Sequence, residues 1–348
     1  MTFKVVVQPS GHQFEVEPGE AVLEAAMRQG IELPYGCRSG ACGSCQGFMV
    51  EGQVIYEDQP VALGQDFAAQ NKALFCMAKP RSDLVISIDE VADSQTIPVR
   101  NLRCRVEQKH QLSHDVIALK IKLAGDERLQ FHAGQYIEFV LQDGKRRAFS
   151  IANAPHDDEL IELHIRHVPG GKFTDFLFDN MQEKTMLRME GPLGSFYLRE
   201  ASKKPIILMG GGTGFGPLKA IIEHANYIGL KRDMHLFMGV RALRDLYMDE
   251  MLKDWLTTNK QLKFTPVLSE PMDEDNWQGD TGFVHQAVAN AYDDLSCFDI
   301  YMSGPPPMVH AAVDLFTEQH GAQKENIYSD AFEYSKDAIK ALAAAAKQ

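Results

Sequence analysis

Residues 34–45 read PYGCRSGACGSC and contain three cysteines in the pattern C-x4-C-x2-C, with a fourth cysteine, Cys76, further along the chain. This spacing is typical of the four thiolates that hold a plant-type [2Fe–2S] cluster. The glycines, alanine and serines between the cysteines suit a loop that turns tightly and directs backbone N–H groups at sulfur. We therefore predict that Cys37, Cys42, Cys45 and Cys76 bind an iron–sulfur cluster that carries electrons.

Zinc binding and disulfide formation are the two alternative uses of these cysteines. Zinc sites favour paired C-x2-C ligands, often with histidine, whereas this pattern has one C-x2-C. Disulfide frameworks are typical of small secreted chains, whereas this chain is long and we expect no signal peptide. Cys104 and Cys297 lie outside the pattern, and we assign them no chemistry.

The composition argues against several classes of function. A chain of 348 residues is too long for one compact core, so we expect two or three domains. The formal net charge of −13 disfavours binding to nucleic acid and to anionic membrane surfaces, because both require basic patches. No apolar stretch approaches the length that spans a bilayer. We expect a cytoplasmic protein.

The first part of the chain, residues 1–92, has the pattern of a small α+β module. Residues 3–7 and 14–16 are short, mostly apolar runs separated by a Pro-Ser-Gly turn at 9–11, which predicts a β-hairpin. Residues 20–28 have helical spacing, and residues 84–88 read as a final strand. Together with the cysteine loop these elements predict a β-grasp domain, followed by a polar linker at 92–98.

The pattern changes twice after the linker. Residues 99–199 contain short strands separated by turns, which predicts an antiparallel β-barrel; the strands are 103–106, 116–121, 136–140 and 160–165. In residues 200–335 strands alternate with helices, which predicts an α/β domain with a parallel sheet; the strands are 205–209, 235–238, 262–267 and 298–302. We interpret residues 336–348 as a tail without function.

Two segments of the predicted barrel have the chemistry of a flavin site. An arginine fork can hold a pyrophosphate, an aromatic ring can lie against a flavin, and a serine hydroxyl can bond the ring edge or the ribityl chain. Further on, a Pro-Gly-Gly turn before a helix start offers backbone N–H groups and a threonine hydroxyl to a second phosphate, although an ordinary turn has the same pattern. The residues assigned to this site are Arg147, Ala148, Phe149, Ser150, His164, Ile165, Arg166, Gly171, Lys172, Phe173 and Thr174.

Two turns of the predicted parallel sheet are candidates for a dinucleotide site. Each follows a strand and precedes a helix, which is where α/β sheets bind phosphate-bearing ligands. The first turn does not satisfy G-x-G-x-x-G, because Phe215 stands where the third glycine is required. The second turn, considered alone, also fits a plain loop. The residues assigned are Gly211, Gly212, Thr213 and Gly214 in the first turn, and Gly304, Pro305 and Met308 in the second.

Taken in this order, the motifs resemble the ferredoxin–NAD(P)H reductases of the modular type that serve bacterial oxygenases and deoxysugar dehydratases. The resemblance covers nearly the whole chain and is carried by the motifs RAFS at 147–150, GPLGSF at 191–196, GGTGFGP at 211–217 and GPPPM at 304–308. It implies a ferredoxin domain with a [2Fe–2S] cluster, an FAD-binding barrel and a nicotinamide-binding α/β domain.

The resemblance also assigns roles to individual residues. Ser303 stands where many relatives have cysteine beside the nicotinamide, and Phe149 stands where many have tyrosine. The family places an aromatic side chain near the flavin from the C-terminal part of the third domain, and Phe332 is the candidate here. Ser303 and Phe332 are therefore the residues that we expect at the reacting rings.

The expected reaction transfers electrons from NADH through FAD to the cluster and then singly to a transient protein partner, an oxygenase or dehydratase component. Arg241 and Arg244 favour the 2′-phosphate of NADPH, whereas Asp245 opposes it, and the resemblance favours NADH over NADPH. Two alternative functions are a redox-sensing module and a free-flavin reductase. We expect a monomer.

Overall fold

The computed structural model describes residues 2–64, 70–91, 97–125 and 127–332. The chain divides into two compact units, Met1–Pro98 and Val99–Gln348. Most of the predicted linker and the whole predicted tail lie outside the described residues. Among the described residues, no helix combines the length and the apolar character that crossing a membrane requires.

The first unit is a mixed β-sheet with one helix. The sheet has five strands in the order β2-β1-β7-β3-β5, and β4 pairs with β6 separately. β1 is antiparallel to β2 and parallel to β7, which confirms the predicted hairpin and the predicted final strand. The elements are β1 Phe3–Gln8, β2 Gln13–Val16, α1 Val22–Arg28, β3 Gln46–Glu51, β4 Val54–Ile55, β5 Lys72–Leu74, β6 Lys79–Pro80 and β7 Leu84–Ser87.

Helix α1 connects the core of this unit to the segment that carries the fourth cysteine. Its residues Val22 and Leu23 are buried against the sheet. At the N-terminus of the helix, the Val22 N–H donates to the Ala78 carbonyl at 3.0 Å and the Leu23 N–H donates to the Phe75 carbonyl at 2.9 Å. The first backbone donors of a helix lack partners within it, and here they position the residues on both sides of Cys76.

The second unit begins with an antiparallel sheet of six strands in the order β11-β10-β13-β8-β9-β12. A bridge between Ile151 and Leu163 joins the two outer strands, so the sheet closes into the predicted barrel. Residues 147–150, predicted to follow a strand, belong themselves to a strand, β11. The elements are β8 Arg100–Ser113, β9 Val116–Leu123, β10 Tyr136–Val140, β11 Arg146–Ser150, β12 Ile161–Arg166, α2 Lys172–Asp175 and β13 Met186–Leu193.

The rest of the second unit is a parallel sheet of six strands in the order β17-β16-β15-β14-β18-β19. The strand order reverses between β14 and β18, and the carboxyl edge at such a switch point is where open α/β sheets bind ligands. The elements are β14 Ile206–Gly211, α3 Phe215–Tyr227, β15 Met234–Val240, α4 Asp249–Thr258, β16 Leu262–Leu268, β17 Asp280–Thr281, α5 Val284–Ala291, β18 Asp299–Gly304, α6 Pro306–Gln319 and β19 Ile327–Ala331.

The turn after β14 lies against the end of β18. A Cβ atom built on Gly214 would lie 2.0 Å from the carbonyl oxygen of Ser303, so a side chain at this position would collide with backbone. Gly216, at the start of α3, has room, because a Cβ there would lie 3.4 Å from the Cβ of Ala152. Glycine is therefore required at 214 by the packing of two strand ends.

Replacing Gly214 by alanine should lower the stability of the protein by about 3 kcal/mol, because backbone of β18 must move away from the new methyl group. The control Gly216→Ala should be neutral or should stabilise α3 by up to about 1 kcal/mol, since alanine is the better helix former. Thermal unfolding followed by circular dichroism measures both variants. Equal melting temperatures for the two would contradict the packing described here.

Candidate functional site

The four predicted cluster ligands lie in one part of the first unit. Cys42, Cys45 and Cys76 are buried and Cys37 is half-buried. The Cys37 sulfur accepts the N–H groups of Ser39 at 3.4 Å and Cys42 at 3.3 Å, and the Cys42 sulfur accepts the N–H of Cys37 at 3.4 Å. Backbone donors directed at sulfur are what thiolate ligands of a cluster require.

The thiols also interact in pairs. A hydrogen bond with Cys42 lowers the pKa of Cys37 to about 5. The pKa of Cys42 is raised by that hydrogen bond and by burial, and the pKa of Cys45 is raised by a hydrogen bond with Cys76 and by burial. Cys37 thus interacts with Cys42, and Cys45 interacts with the distant fourth cysteine, Cys76; four thiols brought together in this way fit an iron–sulfur cluster.

Close packing holds the cysteine loop against the Cys76 segment. A Cβ atom on Gly40 would lie 2.3 Å from the sulfur of Met77 and 2.9 Å from Cβ of Pro60, and Gly40 has a φ of +80°. The Phe75 N–H donates to the Cys45 carbonyl at 3.1 Å. Because a side chain at 40 would separate the two segments, glycine here keeps Cys76 near the other three cysteines.

Strand β11 brings the predicted arginine and aromatic ring of the flavin site onto one face, since Arg147 and Phe149 are two residues apart in a strand. Phe149 is half-buried, with its ring centroid 5.7 Å from that of Phe139 and 5.9 Å from that of Phe173. Ala148 lies on the opposite face. The contact with Phe173 joins the two predicted flavin segments, which are separate in sequence.

The turn before α2 has the predicted shape, but its threonine hydroxyl has internal partners. The Thr174 hydroxyl lies 3.0 Å from the Val168 carbonyl and 3.1 Å from the Gly171 carbonyl, so its single hydrogen is used inside the turn. A Cβ atom on Gly171 would lie 2.9 Å from that hydroxyl oxygen. Lys172 and Phe173 are the first residues of α2, where backbone N–H groups have no acceptor within the helix. Phosphate binding by this turn stays a prediction.

Three further residues assigned to the flavin site, His164, Ile165 and Arg166, direct their side chains elsewhere. Ile165 is buried in the barrel core. His164 is buried, with Nε2 2.9 Å from Glu162 Oε1 and Nδ1 3.2 Å from the Tyr247 hydroxyl. The guanidinium of Arg166 lies at the glycine turn after β14, because a Cβ atom on Gly212 would lie 2.9 Å from Arg166 Nη1.

The glycines at the strand ends of the switch point pack closely against Met308. A Cβ atom on Gly211 would lie 2.7 Å from the Met308 sulfur, and one on Gly304 would lie 2.7 Å from Met308 Cε. The hydroxyl of Ser303 is fully buried and has no hydrogen-bond partner among the described residues. A buried polar atom without a partner is costly, and a ligand that supplied one at this edge would fit.

Groups from the barrel and from β19 approach the same edge. The Ser150 hydroxyl, predicted to bond a flavin, donates to Asp330 Oδ2 at 2.9 Å. The Phe332 N–H donates to the Gly304 carbonyl at 2.9 Å, and Ser303 pairs with Asp330 in the sheet. The structure therefore brings the predicted residues Ser150, Ser303 and Phe332 to one place.

The surroundings of Arg166 are those expected of a side chain that binds phosphate at this edge. Its Nε and Nη2 atoms are buried without hydrogen bonds to any described residue, and Nε lies 3.1 Å from Asp115 Oδ2. Gly212, beside it, has a φ of +55° and begins the turn that precedes α3. An arginine next to a glycine turn at a helix start suits the pyrophosphate of a dinucleotide.

The charged residues predicted to select between NADH and NADPH differ in their exposure to solvent. Arg241 and Arg244 are exposed after β15. Asp245 is buried; its Oδ2 accepts the Ala242 N–H at 3.1 Å, and its Oδ1 lies 3.6 Å from His114 Nε2. Its carboxylate thus caps the turn after β15 and is directed into the protein. This position argues against the prediction that Asp245 directly repels a 2′-phosphate.

The sequence patterns did not indicate Lys219, Tyr247 and Asp330. These residues belong to the parallel-sheet part of the second unit, and their side chains contact residues of the barrel. The feature of the sequence that could have indicated these contacts is that alternate residues of β12 are polar. Glu162, His164 and Arg166 lie on one face of that strand. The partners of these residues outside β12 come from distant segments, and no local motif marks them.

Models of three protein families match successive parts of the chain. They are a 2Fe-2S iron–sulfur cluster binding domain over residues 5–81, an oxidoreductase FAD-binding domain over residues 103–197, and an oxidoreductase NAD-binding domain over residues 208–314. The four cysteines, the barrel and the switch-point edge described above fall within these three matches in that order.

Relatives match nearly the whole length. The chain is 34% identical over 336 residues to the CDP-6-deoxy-L-threo-D-glycero-4-hexulose-3-dehydrase reductase of Yersinia pestis, covering 97% of this chain and 100% of that protein. It is 36% identical over 319 residues to the reductase component DmpP of phenol 2-monooxygenase from Pseudomonas sp. strain CF600, covering 90% of each.

Solved structures agree. The Amycolatopsis cytochrome P450 reductase GcoB superposes with a TM-score of 0.78 at 33% identity, covering 95% of this chain and 99% of that one. The ferredoxin reductase in carbazole 1,9a-dioxygenase gives a TM-score of 0.71 at 29% identity, covering 96% and 99%. The chain therefore belongs to the family of iron–sulfur flavoprotein reductases, in which one polypeptide combines a 2Fe-2S cluster binding domain with the FAD-binding and NAD-binding domains of an oxidoreductase.

Proposed function

We propose that this protein takes a hydride from NADH, passes the electrons through FAD to its [2Fe–2S] cluster, and delivers them singly to a separate dehydrase or oxygenase component. The observation that carries the proposal is the edge where Ser303, Ser150 and Phe332 meet, because it places barrel residues beside the ends of the parallel strands. A redox sensor or a free-flavin reductase would not require three intact domains, and neither is favoured.

The residues of the chain bind and orient the cofactors. When bound, FAD supplies the conversion between a two-electron donor and a one-electron acceptor, and a cluster with four thiolates supplies a low potential, about −400 mV for plant-type sites. Arg147 holds the flavin phosphates in this proposal, and Phe149 offers its ring to the flavin. Arg166 and the turn at Gly212 hold the pyrophosphate of the nucleotide.

Ser303 has the role of orienting the nicotinamide. Its hydroxyl lies at the end of β18 and is buried without a hydrogen-bond partner among the described residues, so a bound nicotinamide would supply one. Burial of this edge excludes water, which strengthens any hydrogen bond that the hydroxyl makes. No side-chain acid or base would be required, because bound FAD would accept the hydride from the nicotinamide and the residues of this edge would orient the two rings.

The finer parts of the proposal concern the donor, the partner and the setting. NADH rather than NADPH is supported by the resemblance to oxygenase reductases, and the ratio of kcat/KM for the two nucleotides tests it. A monomer that meets its acceptor transiently fits a component that must release electrons one at a time. A reducing cytoplasm suits four cysteines that must remain thiolates.

Replacing Cys42 by alanine should abolish NADH-dependent reduction of cytochrome c and leave reduction of ferricyanide largely intact. One of the four cluster ligands is lost, whereas ferricyanide takes electrons directly from flavin, and domains of this size fold separately. The control Cys297→Ala removes an exposed thiol outside the cluster and should change neither rate. Equal loss of both activities in Cys42→Ala would contradict the proposed path.

Replacing Arg147 by alanine should weaken FAD binding about tenfold or more, because charged hydrogen bonds to phosphate contribute about 1.5–3 kcal/mol. Flavin released from the purified protein measures occupancy, and the iron content should not change. Lys145→Ala, which removes an exposed charge paired with Asp143, is the control. Full flavin content in Arg147→Ala would show that this guanidinium does not hold the cofactor.

Replacing Ser303 by alanine should have opposite effects on stability and on hydride transfer. Removing a buried hydroxyl without a partner should leave thermal stability unchanged or raise it, whereas the limiting rate of flavin reduction by NADH should fall about tenfold, which corresponds to about 1.4 kcal/mol. Anaerobic stopped-flow absorbance gives the rate. A stabilised variant with an unchanged rate would place the nicotinamide elsewhere.

A further inference from the structure

Strand β12 has an unusual outer face. Ile161, Leu163 and Ile165 point into the barrel core, and the alternate residues Glu162 and His164 point outward. Outward positions of an antiparallel barrel are normally solvated, yet Glu162 is 8% and His164 is 7% exposed. The outer face of β12 is therefore covered by another part of the second unit.

Two residues of the NAD-binding domain cover it. Lys219 Nζ on α3 donates to the Ala152 carbonyl at 2.9 Å and lies 3.4 Å from Glu162 Oε1. The Tyr247 hydroxyl lies 3.2 Å from His164 Nδ1, and His164 Nε2 lies 2.9 Å from Glu162 Oε1. We call Glu162, His164, Lys219 and Tyr247 the polar seam, since the four side chains connect the FAD-binding and NAD-binding domains.

The protonation states make the seam directional. Burial opposes ionisation of Glu162, but the hydrogen bond from His164 and the charge of Lys219 outweigh it and hold the pKa of Glu162 well below its usual range. Burial lowers the pKa of His164, which favours the neutral ring. A neutral ring that donates to Glu162 must accept from Tyr247. Each hydrogen bond then has a fixed donor and a fixed acceptor. The seam therefore favours one relative position of the FAD-binding and NAD-binding domains.

The seam adjoins the nucleotide site. Lys219 belongs to α3, the helix that begins directly after the turn Gly212–Gly214. A Cβ atom on Gly216, in the first turn of that helix, would lie 3.6 Å from Cβ of His164. A displacement at the seam is therefore carried by α3 to the switch-point edge. Buried ion pairs are weak evidence for stability, and specifying registry is their best-attested use.

We propose that the polar seam sets the position of the nicotinamide pocket relative to the flavin barrel, so that its residues are positioning residues for hydride transfer and not cofactor ligands. This inference rests on the proposed transfer from NADH to FAD. It assigns His164, predicted to bind flavin, to the joint between the domains. Because misplacing reacting groups by about 1 Å can cost about 100-fold in rate, a loosened seam should slow hydride transfer without weakening the binding of either cofactor.

The test compares Tyr247→Phe and Glu162→Gln with the control Glu159→Gln, which alters an exposed carboxylate of the same barrel 3.9 Å from Lys122. Anaerobic stopped-flow absorbance gives the limiting rate of flavin reduction and the Kd for NADH. We expect the limiting rate to fall about tenfold in Tyr247→Phe and further in Glu162→Gln, with Kd, FAD content and the control unchanged. Tyr247→Phe keeps the ring that packs against Phe215, so it decides the matter if Glu162→Gln fails to fold.

A second measurement uses the protein without FAD or nucleotide. Hydrogen–deuterium exchange should become faster in β12 and at the start of α3 in both seam variants, and it should be unchanged in Glu159→Gln. Unchanged limiting rates in both seam variants would overturn the inference, as would parallel loss of FAD from Tyr247→Phe. Failure of the proposed function is a separate outcome, because NADH would then not reduce the flavin of the unaltered protein.

Discussion

The close approach of two strand ends, β14 and β18, is the constraint on which the nucleotide site depends. Gly214 leaves no room for a side chain beside the Ser303 carbonyl, so the turn and the neighbouring strand must meet backbone to backbone. That contact brings the start of α3 to the end of β18, and the Ser303 hydroxyl there is buried without a partner among the described residues. Such a switch point is where open α/β sheets bind their ligands.

In both the cysteine loop and the nucleotide edge, a glycine allows two segments of the chain to pack closely. Gly40 and Gly214 both occupy positions where a Cβ atom would strike an atom already in place. In the first unit this brings Cys76 to the other cysteines, and in the second it brings a turn to a strand end. Iron–sulfur and dinucleotide chemistry both rely on backbone donors, and glycine is the residue that lets backbone come close.

The sequence predicted features that depend on local spacing. The cysteine loop, the hairpin and the turn at Gly214 each have a short pattern with a physical cause; the structure contains the hairpin and the turn and groups the four cysteines, whose binding of a cluster stays a prediction. The sequence could not predict where His164 and Asp245 direct their side chains, because Tyr247, one partner of His164, comes from a distant segment and Asp245 lies against His114 of the barrel. The Thr174 hydroxyl shows the same limit, since its bonds inside the turn depend on the exact path of the backbone.

The account treats the chain as a converter of hydride into single electrons, and one titration tests this most directly. The purified protein, with FAD and cluster bound, is titrated anaerobically with NADH while flavin absorbance and the electron paramagnetic resonance signal of the reduced cluster are recorded. The account predicts that the flavin bleaches and that the signal of the reduced cluster appears without any added mediator. Bleached flavin beside a cluster that stays oxidised would contradict it.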